Sequence, residues 1–141
     1  MRKIAKSILL TGLMVLLSTS LLIGGAQNRQ APAEIPFEFV HNEIVVQVKI
    51  AGKGPYSMLI DTDTDPSAID SATARELGLA QGSKSYPASG GGNDANVFHL
   101  TRLPTVELGN VIVKEVSAGT IDLAKLSAKM GMPIHGVLGY S

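Results

Sequence analysis

Cysteine is absent from the 141 residues, and so is tryptophan. Without a thiol there is no disulfide frame, thiolate zinc site, iron–sulfur cluster, cysteine nucleophile or lipobox anchor. Any catalysis falls to oxygen or imidazole groups. Charge is also sparse: 17% of residues are charged, and twelve basic side chains cancel twelve acidic ones. No overall positive field is available to hold a phosphate backbone, which argues against a nucleic-acid partner. The longest apolar run, Ile8 to Ile23, covers 16 residues and is broken by Thr11, Gly12, Ser18, Thr19 and Ser20. That is shorter than the roughly 20 residues a membrane-spanning helix needs. With Arg2, Lys3 and Lys6 before it and Gly24-Gly25-Ala26 after it, residues 1–26 read as a secretory signal peptide. The expected location is therefore periplasmic or secreted, with membrane contact only if the leader stays uncleaved. Cleavage after Ala26 leaves nine basic against twelve acidic side chains, a mildly acidic mature chain.

Residues 27–35 are polar, with Pro32 inside them and Pro36 just beyond, and read as a linker to a single domain over 36–141. From Phe37 the pattern becomes strand. Ile44, Val46, Val48 and Ile50 alternate with polar positions at period 2, and Tyr56 to Ile60 runs apolar enough to be covered on both faces. Asp70 is placed to cap a short helix ending at Leu77, with Gly78 as its left-handed stop. Residues 80–96 carry Pro87 and Gly90-Gly91-Gly92 among small polar side chains, the composition of a flexible hairpin or lid. Val97 to Leu103 reads as a strand, and Val106 to Val116 as a hairpin turning at Gly109-Asn110. A second helical stretch follows Asp122, with Leu123, Leu126 and Met130 at helical spacing and Gly131 and Pro133 as terminators.

The chemistry concentrates in Asp61-Thr62-Asp63-Thr64-Asp65, three carboxylates in five residues after an apolar strand. A solvated turn is the plainest explanation, and three specific sites compete with it. An EF-hand calcium loop fits poorly, because Pro66 stands where glycine makes the turn and Ala72 where glutamate supplies two oxygens. A phosphatase of the haloacid dehalogenase type needs Thr or Val where Asp65 stands, and more helix than this chain offers for parallel crossovers. Acid proteolysis uses two aspartates held close together, one ionised to activate water and one protonated to polarise the scissile carbonyl. Met58-Leu59-Ile60-Asp61-Thr62 has the apolar-apolar-Asp-Thr form of such a loop.

More than the loop agrees. Ile35-Pro36-Phe37-Glu38-Phe39-Val40, Ile44 to Ile50, Gly52-Lys53-Gly54-Pro55, Ser67-Ala68-Ile69-Asp70 through Leu79, and His135-Gly136-Val137-Leu138-Gly139-Tyr140 follow in order. Together these segments resemble bacterial retropepsin-like aspartyl proteases. The resemblance implies an all-β fold: a closed single-lobe β-barrel with one or two short helices, incomplete at its C-terminus because the family usually adds a helix and a last strand. It implies Asp61 and Thr62 as catalytic, and Asp65, Tyr86 and Gly91 as substrate-binding, the last two in a flap. Thr64, Val137, Leu138 and Gly139 would brace the loop. Since one lobe carries one Asp-Thr motif, the dyad would require a homodimer acting on peptide or protein substrates, with no metal or cofactor. The family's glycine after Asp-Thr is Asp63 here, which puts a side chain and a negative charge beside the dyad and predicts weakened activity.

His41, His99 and His135 are too scattered for metal-ligand spacing, and there is no Gly-x-Ser-x-Gly elbow. The expected activity is that of an exported aspartic endopeptidase. The alternative is a catalytically silent barrel that binds peptides or divalent cations through Asp61, Asp63 and Asp65.

Overall fold

In a computed structural model, the structure describes residues 32–88 and 97–140. The expected leader and Gly91 lie outside the described residues. Ala33–Ser141 forms one compact unit.

The alternating apolar positions build a hairpin, β1 (Phe37–Val40) with β2 (Glu43–Ile50), and β2 turns at Ala51-Gly52 into β3 (Lys53–Ile60). After the acidic loop come β4 (Ser67–Asp70) and helix α1 (Ser71–Leu77). The Asp70 carboxylate accepts from the N–H groups of Ala72 and Thr73, and Gly78 closes the helix at φ 69°. These are the two ends expected from a capping acid and a left-handed glycine. A short β5 (Ser85–Pro87) pairs with the long β6 (Val97–Leu108), which turns at Gly109-Asn110 into β7 (Val111–Ile121). Helix α2 (Ala124–Met130) buries Met130 and stops at Gly131, and β8 (Gly136–Leu138) follows.

The eight strands form one mixed sheet in the order β1-β2-β3-β8-β4-β7-β6-β5. This corrects the expected closed β-barrel and the all-β class: the domain is a mixed α/β fold with an eight-stranded sheet that does not close, and two helices. The reason lies in β2. Over Glu43–Val46 the edge of β2 that could face β6 is taken by β1, so only Lys49 and Ile50 reach Glu107 and Val106 of β6. Strands β1 and β5 each have one neighbour and remain edges. Parallel pairings, β3 with β8 and β4 with β7, add to the mixed character.

Two apolar clusters hold the sheet. Val46, Val48, Ile50, Tyr56, Met58, Ile69 and Leu103 belong to the larger one. Val45, Leu59, Leu123, Met130, Ile134 and Val137 form the second, beneath α2. The two cores explain where β2 departs from simple alternation: Val45 turns into the second cluster and is buried, whereas Ile44 is 38% exposed. Strand β3 serves both clusters, Met58 on one face and Leu59 on the other, so the segment delivering Asp61 is pinned on both sides.

Candidate active site

Leaving β3, the chain skips over its neighbour. Strand β8 lies between β3 and β4, pairing Met58 with Gly136 and Ile60 with Leu138 on one side, and Ala68 with Val137 on the other. The acidic loop therefore arches across the end of β8, and three backbone N–H groups fasten the two together. Asp61 N–H donates to the Leu138 carbonyl at 3.0 Å, Tyr140 N–H to the Thr64 carbonyl at 3.1 Å, and Gly139 N–H to Ser67 Oγ at 3.0 Å.

Within the loop the Asp61 carboxylate is oriented at both oxygens. Asp63 N–H donates to Oδ1 at 2.9 Å, and Thr64 Oγ1 donates to Oδ2 at 2.8 Å. Both lie at ordinary hydrogen-bond distances, and together they fix the orientation of the carboxylate. Asp61, Thr62, Asp63 and Asp65 are exposed and Thr64 is half-buried, so the carboxylates face water, where their mutual repulsion is screened. Asp63 is not among the residues with positive φ, so its backbone conformation suits a side chain. A cleft of about 260 Å3 opens beside Asp61 and Thr62, walled by apolar side chains that include Val106, Leu108, Val113 and Leu138. The larger cleft, about 520 Å3, lies by α1 and α2 and does not include the loop.

The structure gathers Asp61, Thr62, Asp63, Thr64 and Asp65 in one turn, with Leu138 and Gly139 against it and Val137 one rung below. Gly139 has a steric reason: a Cβ there would lie 1.9 Å from the Thr64 carbonyl oxygen. Tyr86 is not brought to the loop. It sits on edge strand β5, its ring stacked on Phe98 with centroids 5.6 Å apart. Among the described residues, no three His, Asp or Glu groups converge as a metal site.

Two residues of the site stand in segments that carry the resemblance but are not singled out by it. Ser67 is 1% exposed, and its hydroxyl accepts the Gly139 N–H. His135 has Nδ1 as the acceptor for Ser57 N–H at 3.1 Å. Each acts on a partner more than seventy residues away in the chain, which local patterning does not reveal.

The site is thus an exposed carboxylate held at the end of a buried strand, against a glycine that lets the two segments touch. Residues 46–141 match the family described as aspartyl protease, and the chain belongs to that family. The fold is also that of a retropepsin-like aspartic protease from Rickettsia conorii known from its crystal structure. The likeness has a TM-score of 0.50 at 13% identity, over 79% of this chain and 81% of that one. Among curated proteins no significant match was found.

Proposed function

We propose that this chain is an exported aspartic endopeptidase whose dyad is formed by the Asp61 carboxylates of two copies. The observation that carries the reading is the Asp61 carboxylate itself, exposed, held at both oxygens, and fixed through its own N–H to Leu138. Hydrolysis requires two such groups face to face: one ionised to take a proton from water, one protonated to hydrogen-bond the scissile carbonyl. One chain supplies one, so the active unit is a homodimer, and Thr62 reaches across the two-fold axis to the opposite loop. Val137, Leu138 and Gly139 brace each loop, and Asp65 receives the peptide backbone. Tyr86 on edge strand β5 is a further substrate-contacting side chain. Export rests on the leader-like residues 1–26.

Asp63 lowers this activity by adding a third carboxylate between Asp61 and Asp65. The test is cleavage of an unfolded protein at acid pH. Activity that is blocked by a transition-state mimic such as pepstatin and lost in Asp61→Asn supports the reading. Cleavage that survives Asp61→Asn, or calcium binding without cleavage, refutes it.

A further inference from the structure

His135 stands immediately before β8 and extends the ladder between β8 and β3. Its backbone N–H donates to the Ser57 carbonyl at 2.8 Å, and its ring Nδ1 accepts the Ser57 N–H at 3.1 Å. Its carbonyl accepts the N–H of Asp70 at 2.8 Å, which joins β4 to the same point. The ring packs edge-on against Tyr56, centroids 5.2 Å apart, and the Tyr56 hydroxyl donates to Glu76 Oε1 at 3.0 Å. Ser57 thus has both backbone groups satisfied by one residue, on the strand that leads into Asp61 four positions later.

An Nδ1 that accepts a backbone N–H carries no proton, so the ring in this structure is neutral with its proton on Nε2. The imidazolium has two donors and no acceptor. Protonation therefore sets a donor against the Ser57 N–H and breaks the contact. The charged ring has an alternative position nearby, because His135 lines the 520 Å3 cleft together with Asp70, Arg75, Glu76 and Asp122. From α1 and its cap the cleft presents Asp70, Arg75 and Glu76, from the approach to α2 it presents Asp122, and from β3 the ring meets the Tyr56 phenol. Strand β8 itself carries no titratable side chain. Three carboxylates against one guanidinium favour a cation in that space.

We propose that His135 is a pH-sensitive positioning residue: neutral, it latches β8 to β3 beneath the Asp61 loop, and protonated, it swings toward the cleft and frees that rung. The device goes beyond the proteolytic reading and stands whether or not Asp61 does chemistry.

Amide hydrogen exchange followed by NMR at about pH 7.5 and about pH 5 tests it. After correction for the intrinsic exchange rate, protection of the Ser57 and Asp61 amides falls about tenfold or more at the lower pH. His135→Asn puts a carbonyl oxygen in place of Nδ1 and does not titrate, so it retains protection at both pH values. His135→Phe keeps the ring against Tyr56 but has no acceptor, and gives low protection at both. Unchanged protection in the wild type, or a parallel loss in wild type and His135→Asn, overturns the latch. The His135→Asn comparison decides the matter even if His135→Phe does not fold.

Discussion

Replacing Gly139 by alanine probes the contact on which the acidic loop rests. The added Cβ would lie 1.9 Å from the Thr64 carbonyl oxygen and 2.8 Å from its carbonyl carbon, both backbone atoms that no rotamer change can move. Ordinary contact begins at 3.4 Å, so the loop must retreat by the difference of about 1.5 Å. A shift of that size stretches the Tyr140 N–H to Thr64 carbonyl bond, now 3.1 Å, past bonding distance, and drags the Thr64 hydroxyl from Asp61. Two hydrogen bonds at about 0.5–1.5 kcal/mol each, added to an overpacking cost of about 1–3 kcal/mol, amount to roughly 2–6 kcal/mol. The exposure of the loop favours the lower half of that range. Urea unfolding followed by circular dichroism measures it. Gly131→Ala is the control, since φ there is +66° but no atom lies within 4 Å of the new Cβ. It loses only the backbone term, about 1–2 kcal/mol. If Gly139→Ala proves no more costly than Gly131→Ala, the close approach of β8 to the loop is not as described.

Asp70→Ala removes the cap of α1 and the acceptor for the Leu123 N–H at 3.1 Å. The loss is about 1 kcal/mol for the cap plus about 1–3 kcal/mol for the buried donor, read from the urea midpoint, and a shift below about 0.5 kcal/mol would count against the shared role. The Tyr56 phenol is raised above its ordinary value by burial, and further by its hydrogen bond to Glu76 and that carboxylate's charge. The unfolded chain therefore releases this proton first, and stability is full at neutral pH and declines as pH climbs above the usual phenol range. Tyr56→Phe flattens that alkaline decline in thermal melts, and an unchanged slope contradicts the assignment. Asp63→Gly raises proteolysis, by about tenfold if the extra carboxylate is what holds it back; equal cleavage by both forms would show that Asp63 is neutral.

What could be read from the chain alone was local. Period-2 alternation marks β2, Gly109-Asn110 marks the β6–β7 turn, and Asp70, Gly78 and Gly131 mark helix ends, because each is set by the residues immediately around it. The sheet's connectivity was not legible in this way. How β1 and β6 divide the free edge of β2 depends on contacts from distant segments, and β1 takes the longer share. The burial of Val45 likewise depends on a second cluster assembled from Leu123, Met130 and Ile134, far along the chain. At the site, the carboxylates stood out by composition, and Gly139 entered through family resemblance. Ser67 and His135 were silent because a serine accepting one N–H, or a histidine accepting another, looks like any polar strand residue until the partner is placed beside it.

The central claim is that two copies share one catalytic pair. Wild-type protein and Asp61→Asn are mixed in varying proportion, allowed to exchange subunits, and assayed for peptide cleavage at acid pH. A shared pair predicts that activity falls as the square of the wild-type fraction, because a mixed dimer carries only one working carboxylate. Activity that declines in simple proportion to the wild-type fraction would mean that each chain cleaves alone.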